Sequence, residues 1–192
     1  MDISGLLSAD DFYYTDSHWR QERITKVADE IAAQMGAERI GACEIQDTGR
    51  PFYGVYYGQA ALPHAPERLF YLDNAVIRGL RVYNVETSSD IPVYDLGAAA
   101  GRDPYEMFLG GARSIIKITN PNAAQERRLI VFRDSFGSSI APLLAAGYSE
   151  ITLVDIRYIS PLSLGKLIDF AKADDALFLY SASVINNSET IK

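Results

Sequence analysis

The sequence predicts an α/β fold built on a parallel sheet, with an inserted β-rich segment. Three observations carry that expectation. After Arg127, apolar runs and amphipathic stretches alternate as strand, helix, strand, helix, strand. Over about residues 45–120, short β-type runs alternate instead with Gly, Pro, Asn and Asp, as in a meander or in loops lying over an α/β core. The 192 residues are 48% hydrophobic, with no linker or low-complexity tract between the two parts, so one domain over 1–192 is expected.

In the regular part, residues 129–132 (Leu-Ile-Val-Phe) form a continuous apolar run of buried-strand type. Residues 138–146 read as a short helix, with Pro142 in its first turn and Gly147 ending it. Residues 151–154 are the next strand. Ser160-Pro161 supplies an N-cap followed by Pro, and Leu164, Leu167, Ile168 and Ala171 form the stripe of a second helix. Residues 177–180 are a third strand, running on toward Asn186 and Asn187. Two successive βαβ units imply right-handed crossovers, and ligands bind beyond the carboxyl ends of such strands. Asp134-Ser135, Asp155 to Arg157, and Asn186 all follow a strand end, so three strands deliver polar groups to one rim.

In the first part, residues 10–16 read as an extended segment. A one-face stripe then runs through Ile24, Val27, Ala28, Ile31, Ala32 and Met35, with Glu22, Arg23, Lys26, Asp29 and Glu30 opposite and Gly36 as the stop. Thr15, Asp16 or Ser17 can cap that helix, which sets His18 at or just before its first turn. Residues 52–57, 68–72, 80–84, 92–96 and 114–119 are the β-type runs.

A net charge of −7 and a pI near 4.8 argue against binding a phosphate backbone, so no nucleic-acid partner is expected. The single cysteine, Cys43, excludes an internal disulfide and a cysteine-rich zinc site. Neither a signal-type start nor an apolar run of about 20 residues is seen, so no membrane span is expected in this chain.

Ser135 sits where an apolar run gives way to a helical pattern, a turn that often presents a nucleophilic hydroxyl. Serine needs a positioned base, and only His18 and His64 offer imidazoles. Asp16, two residues before His18, can hold its second ring nitrogen; alternatively Asp16 caps the helix and His18 is an ordinary polar residue. The Asp-x-His pair also opens some dinuclear metal sites, but those need further imidazoles. His64, in Leu62-Pro63-His64-Ala65-Pro66, reads as a surface residue, so no metal and no cofactor is expected. Asp134 can cap the following helix or pair with Arg133 or Arg157. Arg157, followed by Tyr158, can bind an anionic group, support an oxyanion, or pair with Asp134 or Asp155. Tyr53, Tyr56 and Tyr57 suit stacking on sugars as well as strand packing.

The stretch Tyr13-Tyr14-Thr15-Asp16-Ser17-His18-Trp19 resembles the motif that names the DHHW proteins. Phe52-Tyr53-Gly54, Phe108-Leu109-Gly110-Gly111, Arg133-Asp134-Ser135-Phe136, Asp155-Ile156-Arg157-Tyr158 and Asn186-Asn187-Ser188 follow in the order expected of the alginate O-acetyltransferase-like branch of the SGNH hydrolases. The resemblance implies a flavodoxin-like, three-layer SGNH fold with the Asp-x-His block ahead of the serine. It implies a serine-dependent esterase or O-acyltransferase acting on acylated carbohydrate of the cell envelope, outside the cytoplasm. It assigns Ser135 as nucleophile, His18 as base, Asp16 as its orienting carboxylate, and Asn186 as an oxyanion donor. Ser17 replaces the first histidine of the motif, and Arg133, a further candidate with Arg157 and Tyr158 for contact with substrate or oxyanion, stands where the hydrolases have glycine. The other function class open to such a fold is a non-catalytic glycan-binding or scaffold domain.

Overall fold

The computed structural model describes residues 1–60, 64–187 and 189. After an irregular start come Thr25–Gln34 (α1), Glu44–Phe52 (β1), Val55–Ala60 (α2), Glu67–Asp73 (β2) and Ala75–Gly79 (α3). Arg81–Asn84 (β3), Ser89–Ile91 (β4) and Ile115–Thr119 (β5) follow. The chain closes with Arg128–Arg133 (β6), Phe136–Leu144 (α4), Glu150–Val154 (β7), Pro161–Leu167 (α5), Asp175–Leu179 (β8) and Ala182–Asn186 (α6).

Six strands make one mixed sheet in the order β4-β3-β5-β7-β6-β8. β7, β6 and β8 are parallel, as expected from the regular half. The rest is a correction: β5 pairs antiparallel with β7, β3 with β5, and β4 with β3. Three of the five strands in the expected insertion, among the described residues, therefore belong to the main sheet. β5 belongs there because Ile115 faces one side of the sheet and Ile116 and Ile118 the other, all three almost fully buried. Only β1 and β2 form a separate antiparallel ribbon.

Residue parity sorts the core. Leu129, Val131, Ile151, Leu153 and Leu177 pack with Ile24, Val27 and Ile31 of the α1 region and with Ile140, Leu143 and Leu144 of α4. Ile130 and Val154 pack on the opposite face with Leu164 and Ile168. Each such side chain contributes about 1.5–3 kcal/mol by leaving water. The α4 and α5 crossovers thus lie on opposite faces, because β6 stands between the strands reached on either side. That arrangement opens a crevice at the carboxyl end of β6. Ser135 is two residues past it.

Three expected boundaries change for local reasons. The first helix begins at Thr25, not near residue 18, so neither Asp16 nor its neighbours cap it. Gln21 is fully buried and cannot lie on a solvent face. Its amide donates to the Ser139 carbonyl at 2.6 Å and its oxygen accepts from the Leu72 N–H at 2.8 Å. The run 52–57 ends its strand at Phe52 and turns into α2, since Gly54 presses against Thr15 and the chain must bend. Helix α4 starts directly after Ser135, which leaves Pro142 in its interior instead of its first turn.

Candidate active site

Residues 12–19 fold into a tight loop closed by an antiparallel bridge between Phe12 and Trp19 and by Tyr13 N–H donating to the His18 carbonyl at 3.1 Å. The loop is clamped from outside. Glu67 accepts from Thr15 Oγ1 at 2.7 Å and from the Thr15 N–H at 2.8 Å, while the Gly54 N–H donates to Thr15 Oγ1 at 3.1 Å. Asp16, 4% exposed, then has each oxygen engaged. Oδ1 accepts from the His18 N–H at 3.0 Å and meets His18 Nδ1 at 2.5 Å; Oδ2 accepts from the Val55 N–H at 2.9 Å.

Burial pushes the Asp16 carboxyl up, but the hydrogen bonds from the His18 ring and backbone and from Val55 outweigh it and hold the group below 3.8. An ionised carboxylate only accepts, so the proton of the neutral imidazole sits on Nδ1 and Nε2 is left as an acceptor. His18 Nε2 lies 2.6 Å from Ser135 Oγ. The structure thus brings together Asp16, His18 and Ser135 from opposite ends of the chain, in one line of hydrogen bonds.

Ser135 is held by the turn after β6. Asp134 Oδ1 accepts from the Phe136 N–H at 3.0 Å, and Oδ2 accepts from the Ser181 N–H at 2.7 Å, tying the turn to the end of β8. Asp134 therefore starts the helix and pairs with neither arginine. The Gly137 N–H donates to the Asp134 carbonyl at 3.1 Å. Of the three successive N–H groups from Ser135 to Gly137, the last two are in use.

The other expected residues are distributed differently. Arg133 is fully buried under the turn, where its guanidinium donates to Ser138 Oγ at 3.1 Å and to the Asp134 and Arg113 carbonyls, so it presents nothing to a ligand. Its alkyl stem lies where a Cβ on Gly137 would meet its Cβ at 2.6 Å. Arg157 is held by Asp155 through both Nε at 2.9 Å and Nη2 at 2.6 Å, with Tyr158 half-exposed beside it. Asn186 ends α6, exposed to solvent. His64 is exposed, and its ring nitrogen meets the Ala65 carbonyl. Ser188 lies outside the described residues. Among those residues no group of His, Cys, Asp and Glu could hold a metal ion, and no helix is long and apolar enough to cross a membrane.

A scan against family models and a search of curated proteins both find no match. Solved structures do match. A DHHW family protein from Eubacterium siraeum DSM 15702 superposes with a TM-score of 0.70 at 21% identity, over 95% of this chain and 63% of that one. Bacillus cereus PatB1 carrying a sulfonyl adduct gives 0.68 at 21% identity, over 92% and 62%; PatB1 without it gives 0.66 at 20%, over 92% and 64%. The chain shares their fold. It spans less than two thirds of their length.

Sequence reasoning missed four residues that shape the site: Gly54, Glu67, Tyr105 and Ser139. Gly54 stood in a quoted motif, and its role is steric: a Cβ there would lie 2.1 Å from the Thr15 carbonyl oxygen and 2.4 Å from Asp16 Cβ. Gly54→Ala is expected to destabilise the protein by about 1–3 kcal/mol and to displace Asp16, measured as a lower Tm together with slower modification of Ser135. Tyr105 lays its ring on the His18 imidazole, with centroids 3.9 Å apart and planes 16° from parallel.

The lowered Asp16 carboxyl also makes stability depend on pH. Its folded pKa lies below the unfolded value near 3.8, so its contribution is complete above that value and is lost as pH falls through the folded one. Below about pH 4 the wild-type Tm is expected to fall more steeply than that of Asp16→Asn. Parallel acid limbs in the two proteins would contradict this.

Proposed function

We propose that the protein is a serine-dependent esterase or O-acyltransferase of SGNH type, acting on acylated carbohydrate of the cell envelope. One observation carries the proposal: His18 stands within hydrogen-bond distance of Asp16 on one nitrogen and of Ser135 on the other. Ser135 Oγ attacks the ester carbonyl as its proton passes to His18 Nε2, and Asp16 stabilises the imidazolium that forms. The tetrahedral oxyanion is held by the Ser135 N–H, the one of three turn amides not otherwise used, with Asn186 as the side-chain donor. Collapse expels the sugar oxygen, which takes the proton from His18 and leaves an acyl-serine. Water or a second hydroxyl then attacks that ester with His18 again as base.

A groove of about 560 Å³ borders Asp16 and is lined by Tyr53, Val55, Tyr57, Gln59 and Arg102. Tyr53 and Tyr57, with ring centroids 4.7 Å apart, offer flat amphipathic surfaces suited to sugar rings. Arg157 and Tyr158 are further substrate contacts in this reading. The envelope setting rests on the motifs that resemble the DHHW proteins; the likeness to a DHHW protein and to PatB1 supports the fold.

The test is acetate release from an O-acetylated oligosaccharide by the wild type and by His18→Ala. The variant is expected to be slower by about 10³-fold or more. Equal release from both would overturn the proposal, and glycan binding without turnover would favour a non-catalytic carbohydrate-binding domain.

A further inference from the structure

The two hydrogen bonds to His18 fix its two ring nitrogens, and with them a line. The imidazole can still rock about that line, which would swing the Nε2–H away from the leaving oxygen after the first proton transfer. One face of the ring is closed by Tyr105, almost parallel and at stacking distance. Tyr105 is itself locked. It is 3% exposed, its N–H donates to Asp103 Oδ1 at 3.1 Å, and its ring packs against Phe108 at 4.9 Å and edge-on to Tyr13 at 6.4 Å.

Its hydroxyl leads back to the nucleophile. Burial raises the phenol and keeps it protonated, and it donates to Ser139 Oγ at 2.7 Å. Ser139 is fully buried on α4, four residues and hence about one helical turn after Ser135. Ser139 Oγ also accepts from Trp19 Nε1 at 2.8 Å and donates to the Phe136 carbonyl at 3.3 Å, which uses its whole hydrogen-bonding capacity. The chain Ser135, His18, Tyr105, Ser139 therefore closes on the helix from which it starts.

We infer that Tyr105 is a positioning residue: its ring holds the plane of the His18 imidazole, and its tether to Ser139 ties that plane to the helix bearing Ser135. The inference rests on the serine-dependent reading for its kinetic consequence but not for its structural one. Tyr105→Leu removes the prop; Tyr105→Phe keeps the ring and drops the tether.

With p-nitrophenyl acetate as probe, Tyr105→Leu is expected to lower kcat about 10- to 100-fold with KM within about 2-fold. Tyr105→Phe is expected to lose only about 3- to 5-fold. The second readout is the downfield NMR signal of the His18 Nδ1–H, expected to broaden by exchange with water in Tyr105→Leu and to stay sharp in Tyr105→Phe. A Leu variant no slower than the Phe variant, with the signal still sharp, overturns the ring's role. Wild-type kcat in Tyr105→Phe overturns the tether. If Tyr105→Leu does not fold, Ser139→Ala takes its place, with an expected kcat loss of about 3- to 10-fold at unchanged KM; wild-type kcat there also overturns the tether. If the wild type turns over no ester, the serine-dependent reading has failed and the NMR signal still decides on the positioning.

Discussion

Ser135→Ala is expected to lower ester turnover by about 10⁴-fold or more while leaving the fold intact. The two halves of that expectation have separate causes. Ser135 Oγ takes no part in capping α4, and its loss leaves only the partly exposed His18 Nε2 without its partner, so stability should change by no more than about 1 kcal/mol. Under the proposed mechanism its loss removes the atom that forms the acyl ester with His18 as base. In that mechanism nucleophile and base act as one unit, so Ser135→Ala combined with His18→Ala should be no slower than either alone. Turnover that fell additively in the double variant would mean that the two residues act independently.

The largest effect on stability is expected from Arg133→Ala. Arg133 is fully buried, and burial pulls its guanidinium down while Asp155, 4.0 Å away, opposes the shift. Removing it leaves Asp155 short of one of its two cationic neighbours and leaves the Ser138 hydroxyl and the Arg113 carbonyl without that donor, while the Asp134 carbonyl keeps the Gly137 N–H. It also empties the space beneath Gly137. Breaking such a pair costs about 3–5 kcal/mol, a fall in Tm of about 6–20 °C for a chain of this size. Arg133→Met refills the volume without the charge and should cost less. An alanine variant melting within about 1 °C of the wild type would show that the turn does not depend on Arg133.

What the sequence revealed and what it hid follow from how far each signal reaches along the chain. The β6–α4–β7–α5–β8 unit is legible because each apolar run and stripe is local, and local pattern decides strand or helix. His18 is legible because histidine is scarce and chemically specific, and Asp16 and Ser135 are legible by their places, two residues before it and at the end of an apolar run. Strand direction across the rest of the sheet is not local. Nothing within residues 115–119 says that this strand pairs antiparallel with β7. Tyr105 and Ser139, 34 residues apart, meet only after two elements have packed, as do Thr15 and Glu67, 52 apart. Arg133 stands beside the nucleophile where the hydrolases have glycine, yet its side chain turns inward under Gly137. Only the close approach of that glycine explains why.

The most direct test is intact-protein mass spectrometry after treatment with an aryl sulfonyl fluoride, followed by peptide mapping. The wild type should gain one sulfonyl group on Ser135, while Ser135→Ala gains none and His18→Ala reacts at least about 10²-fold more slowly. A wild-type chain that stays unmodified, or that is sulfonylated equally fast without His18, would contradict the assignment of Ser135 as a His18-activated nucleophile.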